Sequence, residues 1–256
     1  MTELSRVDRL RRRWRDYRAR LGFPDPVSGA GGSPTGLAAR LNDVSSRAVI
    51  LPPDPLRARI DFDDEFWAWW DEPREAPFGG QLMWNSTSPT VNAAVKVRKT
   101  GPGWSTYLAL HRHGGVEVGT VDTYEAGDRR CFRLIRTVGL LWIALDHQVD
   151  AAERFGIEGP WEVTLALHDT EGCLLGEFGE GWAEPSRTVR PQAPCFDANV
   201  VVRKELETFP RAPEPIRDLA FRFGGRIDDA WGVRQRRFLD HRGEREGEFS
   251  ARRWRL

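Results

Sequence analysis

One stretch, Asp128 to Trp182, limits the possible folds more than any other. From Phe132 onward the apolar positions are Phe132, Ile135, Val138, Trp142, Leu145, Val149 and Ala152. They recur in steps of three and four residues and so form one helical face. Leu134, Leu141 and Ile143 widen the stripe until Val138 to Leu145 is apolar nearly all round, which predicts burial on more than one side. Asp128 is the expected N-cap, because a carboxylate there can accept the free N–H groups of a first turn. Gly156 is the expected stop, since glycine enters the left-handed conformation of a C′ residue without a Cβ clash. Ile157 is then placed to pack back on the last turn, and Gly159-Pro160 blocks a restart. Trp161 to His168 alternates, with Val163, Leu165 and Leu167 on one face and Glu162, Thr164 and His168 on the other. That pattern predicts a half-buried strand with His168 at the surface. Asp169 to Gly172 carries turn chemistry, and Leu174 to Phe178 is the expected return strand of a hairpin.

The flanking segments supply more sheet. Val91, Ala93, Val95 and Val97 alternate with Lys96 and Arg98. Gly-Pro-Gly at 101–103 turns the chain into a strand from Trp104 to His111, and His113-Gly114-Gly115 turns it again into Val116 to Val121. Together these strands form a meander. Val200 to Leu206 adds a strand, and Ile216, Leu219, Phe223, Ile227 and Trp231 mark a final helix over 213–231. The expected class is α+β: an antiparallel sheet of about six strands, packed by a long central helix and a C-terminal helix, with an N-terminal helical arm. Residues 1–22 are the basic arm, and 23–58 a Gly/Pro-rich linker with a mixed segment. The α+β core covers 59–240, and 241–256 form a charged tail.

Charge is the most informative part of the composition. The 38 basic and 38 acidic residues cancel. Residues 1–20 hold eight Arg against Glu3, Asp8 and Asp16, giving +5, and residues 232–256 hold eight Arg against four acids, giving +4. The middle therefore carries −9, an acidic body between basic ends. In the arm, Ser5 caps a predicted helix whose stripe is Leu4, Val7, Leu10, Trp14, Tyr17 and Leu21. Arg6, Arg9, Arg12, Arg13 and Arg20 lie largely off that stripe. They form either a phosphate-binding face or the solvated side of a helix docked through Trp14 and Tyr17. The chain has eleven Trp, which belong to the core or to partner contacts. Phe66, Trp67, Trp69 and Trp70, set among acids, read either as a short helix closing the core or as an acidic aromatic patch.

Three cysteines, Cys131, Cys173 and Cys195, match no zinc or CxxC spacing and fit a reducing, cytoplasmic compartment. The N-terminus has charge without the apolar run of a secretory signal. No segment has the roughly 18 apolar residues of a membrane span.

Catalytic signatures are sparse. His111, His113 and Glu117 have the His-x-His…Glu spacing of the first half of the cupin metal motif, and imidazole with carboxylate suits zinc or iron. The second half of that motif is missing, and the two glycines place a turn between His113 and Glu117, so no metal is assigned. Asp122, Glu125 and Asp128 cluster near a turn, as do Asp228 and Asp229 on the last helix. Either group would serve a metal-dependent nuclease, but neither has the flanking Lys that would sharpen the assignment. Phosphate-loop, dinucleotide, GxSxG and HExxH patterns are absent. No catalytic residue and no cofactor is expected.

Several stretches carry a resemblance. They are YLALHRHGGVE (107–117), FRLIRTVGLLWIALD (132–146), GPWEVTLAL (159–167), LLGEFGEGW (174–182), and AFRFGGRIDDAWG with RRFL (220–239). Over about 80–240 the chain resembles the C-terminal region of bacterial Schlafen/Alba-type putative DNA-binding proteins, without their N-terminal Alba-type module. The resemblance implies an accessory domain of a bacterial DNA-associated or defence-type assembly. The expected function is a non-catalytic interaction subunit that contacts a protein partner or a second copy of itself. Nucleic acid is a second ligand, and Arg6, Arg9, Arg12, Arg13, Trp14 and Arg20 are the contact residues. The alternative is a metal-dependent nuclease or other hydrolase built on acids near Asp122 or Asp228.

Overall fold

The computed structural model describes Arg12 and most of residues 45–232; within that span 56, 78–81, 83, 85, 90–92, 101–102, 127–128, 176–194 and 196 fall outside the description. The elements in chain order are β1 (Ser46–Leu51), α1 (Asp64–Asp71), β2 (Ser86–Pro89), β3 (Ala93–Thr100), β4 (Gly103–His111), β5 (Val116–Thr120), β6 (Thr123–Ala126), β7 (Arg129–Phe132), α2 (Leu134–Arg154), β8 (Trp161–His168), β9 (Leu174–Leu175), β10 (Asn199–Leu206) and α3 (Pro213–Ala230). The class is α+β. Seven strands form a fully antiparallel sheet in the order β10-β8-β1-β5-β4-β3-β2, and β6-β7-β9 form a second, three-stranded sheet.

The long helix ends as its sequence predicts. Gly156 has φ +60°, and the Ile157 N–H donates to the Ala152 carbonyl at 2.9 Å, the hydrogen bond of a Schellman stop. Ile157 is buried in the core. The start of α2 differs from expectation. Its N-cap is Arg133, whose side chain makes no capping bond, and not Asp128. The chain between them is β7, which pairs back on β6 with Phe132 opposite Thr123.

Two further departures define the sheet. The hairpin expected after β8 does not form. Its turn is real, with Asp169 at φ +55° and Gly172 at φ +73°, but β9 pairs in parallel with β7 of the small sheet, Cys131 opposite Leu174. The place beside β8 is taken by β1, the third strand of the seven, paired on both edges. The folded core therefore begins by Ser46, inside the segment read as linker and mixed chain.

One face of the large sheet carries Ala48, Ile50, Leu108, Leu110, Val116, Val118, Val163, Leu165, Val200 and Val202. These merge with Val138, Leu141, Leu145, Leu219 and Phe223 of the helices into one core. The short helix α1 closes an end of it. Asp63 caps α1 by accepting from the Phe66 N–H at 2.8 Å. Phe66, Trp69 and Trp70 are buried, and Trp69 meets Phe155 edge-on at 5.2 Å, so these aromatics are core. The strand face turned away from this core is also buried, at Val49, Leu51, Val95, Val97, Tyr107 and Ala109.

Candidate functional site

Adjacent residues of a strand point to opposite faces, and Ser46 and Arg47 on β1 feed two buried polar networks in this way. On the helix side, Ser46 Oγ donates to Asp122 Oδ2 at 2.5 Å. Thr137 on the first turn of α2 donates to the same oxygen. The Arg136 guanidinium lies 3.5 Å from Asp122 Oδ1 and donates to Thr106 at 3.0 Å, and Thr106 in turn meets Thr120 at 3.1 Å. Burial pushes the Asp122 carboxyl up, against the pull of Arg136 and of the two hydroxyls. The network fastens the start of α2 to β1, β4 and β5. It supplies the anchorage that a side-chain cap gives other helices.

On the far side, Arg47 lies opposite Gly119, and Gly119 opposite Tyr107. Tyr107 lies across the glycine: a Cβ on Gly119 would stand 2.3 Å from Tyr107 Cε1. That absent side chain lets the phenol accept from Arg47 Nε at 3.1 Å and donate to Glu117 Oε1 at 2.6 Å. Arg47 Nε is also 3.7 Å from Glu117 Oε1, and His111 Nε2 is 3.3 Å from Glu117 Oε2. The His113 ring stacks on His111 at 5.0 Å, with planes 4° apart, and its Nδ1 accepts from the Gly115 N–H at 3.1 Å. Burial and the neighbouring His111 hold the His113 imidazole well below its usual range.

His111, His113 and Glu117 are thus brought together, in spite of the turn between His113 and Glu117. Their arrangement is that of a hydrogen-bonded stack. Imidazole lone pairs lie in the ring plane, so two parallel rings 5.0 Å apart do not converge on one ion at bond lengths of about 2 Å. Among the described residues no group of three His, Cys, Asp or Glu is arranged to hold a metal ion. Asp122 is fully buried and its oxygens face Ser46, Thr137 and Arg136. Asp228 is buried inside α3, with Asp229 exposed beside it.

A third polar centre lies between β3, α1 and α2. The valines of β3 alternate with Lys96, and both faces are covered: Lys96 is buried too, 5 % exposed. It stands opposite Leu108, on the helix side of the sheet. Its Nζ sits 4.8 Å over the Trp70 ring. His147 of α2 is 6.3 Å from the same ring. Buried Trp70 Nε1 and His147 Nδ1 have no hydrogen-bond partner. Arg74 pairs with Asp150 above them. Burial and the Arg74 charge lower the Lys96 amine to about 8. Burial, Arg74 and Lys96 hold His147 well below its usual range, and burial raises Asp146.

Of the expected contact residues, Arg12 is helical and exposed; Arg6, Arg9, Arg13, Trp14 and Arg20 lie outside the described residues. His168, expected at the surface, is 3 % exposed, with its Nδ1 3.3 Å from Asn199 Oδ1. Sequence reasoning missed Arg47, Tyr107, Lys96 and His147. The available signal was an Arg inside SRAVIL and a Lys inside AAVKV, charged residues within runs otherwise fit for burial. The chain matches no protein-family model, no curated protein and no solved structure.

Proposed function

We propose that this chain is a non-catalytic interaction subunit, a rigid α+β body carrying Arg-rich ends that contact a protein partner or a second copy of the chain, with nucleic acid engaged as part of the assembly. The observation that carries the reading is the charge layout, +5 over residues 1–20 and +4 over 232–256 against −9 between them. Arginine with Trp14 and Tyr17 nearby is the residue mix favoured at interface hot spots. The polar residues that first suggested chemistry, Asp122 and the His111–Glu117 pair, are spent on holding strands and helix together, which directs function to the surface. The acidic body repels a nucleic-acid duplex except at the ends, so the partner reading stands ahead of direct DNA binding. The resemblance of residues 80–240 to the C-terminal region of Schlafen/Alba-type proteins makes a bacterial, cytoplasmic, DNA-associated or defence-type assembly the natural setting. Among the described residues no helix is long and apolar enough to cross a membrane.

The test is a titration of DNA and RNA at about 50 and 200 mM salt, a range over which several phosphate contacts lose orders of magnitude in affinity. The whole chain is compared with one lacking residues 1–22, and mass is measured in parallel. Loss of oligomeric mass on truncation, without nucleic-acid binding, supports the interaction subunit. Salt-steep binding that disappears with the arm shifts the reading to nucleic acid. If truncation changes neither, the arm is solvated surface and the proposal fails.

A further inference from the structure

Charged side chains inside a protein are normally paired, because an unpaired one is costly to desolvate. Asp122 with Arg136 and Glu117 with Arg47 follow the rule. Lys96 does not: among the described residues it has no carboxylate at ion-pair distance, and its ammonium rests on the face of Trp70. The charged groups around it are Arg74 from the segment after α1, Asp71 at the end of α1, and Asp146, His147 and Asp150 of α2, with Arg98 two residues on along β3. Arg74 is committed to Asp150, and Asp71 accepts from Thr87 at 3.3 Å. Two more buried polar atoms at the same place, Trp70 Nε1 and His147 Nδ1, lack partners. A desolvated lysine beside a second cation is one of the arrangements that make an amine nucleophilic. The place is near the surface, since the Asp150 side chain is 46 % and that of Arg74 17 % exposed.

We propose that Lys96 is a reactive amine that condenses with a small uncharged aldehyde or ketone to form an imine. Nζ attacks the carbonyl carbon and the C–N bond forms. The carbonyl oxygen then leaves as water with the two amine hydrogens, so no oxidant or reductant is needed. Arg74 and Asp71, the charges that act on the amine, offset each other, and a buried site penalises an anionic carbonyl compound that must be desolvated, which sets the class as uncharged. The lowered Lys96 pKa follows from the same burial and Arg74 charge: an amine titrating at about 8 is neutral in roughly one molecule in ten at pH 7, against about one in 2,500 at the usual 10.4.

The chain has three lysines, Lys96, Lys99 and Lys204, so the site is readily mapped. Full-length protein is treated with benzaldehyde and cyanoborohydride from pH 6 to 10, and each lysine is followed by peptide mass spectrometry. Lys204, exposed on β10, is the internal reference. The expected result is Lys96 modified at least about tenfold faster than Lys204 at pH 7, half-maximal near pH 8, with that label absent in a folded Lys96→Arg protein. Pyridoxal phosphate, an anionic aldehyde, should react more slowly than benzaldehyde. The proposal is overturned if folded protein labels Lys96 no faster than Lys204, or only after urea is added, which would make Lys96 a packed core residue. Because the reference is in the same wild-type sample, this outcome is readable even if the variant does not fold.

Discussion

The two networks fed by Ser46 and Arg47 answer the same problem differently. On the helix side, Asp122 is held by two hydroxyls and approached by Arg136 at 3.5 Å. Burial pushes this carboxyl up, while the two hydroxyls and Arg136 pull it down. On the far side, Glu117 is held by a phenol, an imidazole and Arg47, each of which touches at least one other member. The difference is one of redundancy. The Asp122 network joins a helix to strands through groups that neutral substitutes can mimic. The Glu117 network is woven among β1, β4 and β5, and Arg47 reaches Glu117 both directly and through the Tyr107 phenol. A buried pair stripped of one partner is costly because the survivor stays charged and desolvated.

Arg47→Met should therefore have the largest effect, about 3–5 kcal/mol of lost stability in urea unfolding. A loss under about 1 kcal/mol would mean that Glu117 does not depend on this guanidinium. Gly119→Ala comes next. Its Cβ forces Tyr107 off its bridge, so about 1–3 kcal/mol should be lost, and combining it with Tyr107→Phe should cost less than the sum of the two single changes. Asp122→Asn keeps the shape but removes the charge, and about 2 kcal/mol is expected. If it matches Arg47→Met, the contrast between the networks fails.

The pH response sharpens the comparison further. His113 and His147 are both held neutral by burial. The unfolded chain takes up protons on these rings below about 6.5 while the folded one does not, so stability is full above that value and falls as pH drops through it. The loss should be on the order of 1 kcal/mol per histidine for each pH unit, until the folded pKa is reached. Thermal melts at pH 7.5, 6.5 and 5.5 measure it, and His147→Gln should flatten the slope by about half. The smallest effect is expected at Gly156→Ala, about 1 kcal/mol, from placing a Cβ at φ +60°.

What was legible in the sequence was local. The apolar stripe of α2 and its Gly156-Ile157 stop are set by residues within one turn of each other, and both were readable. So were β8, the meander of β3 to β5, and α3. Strand β1 was not, because SRAVIL holds an arginine at its second position, and that charge is tolerable only with Tyr107 and Glu117, 60 and 70 positions away. The turn after β8 was read correctly and its destination was not, since turn chemistry fixes a reversal and leaves the partner strand open. The burial of Lys96 was not legible, because period-two alternation separates faces without saying that both are covered. His111, His113 and Glu117 were found as a group, but only ring geometry showed what kind of group they form.

The interior place of β1 also bears on the order in which the protein assembles. Ser46 pairs with Thr120 on one side and Leu167 on the other, so the middle of the sheet stays open until the chain has grown past residue 167. The β3–β5 meander can zip locally as it is made, whereas β1 must wait for β5, about 70 residues on, and then for β8, more than a hundred residues downstream. Non-local pairing of this kind slows folding. Until β8 arrives, β1 is left with its arginine and its valine, isoleucine and leucine run unshielded on one edge, the interval in which this chain is most exposed to binding the wrong strand.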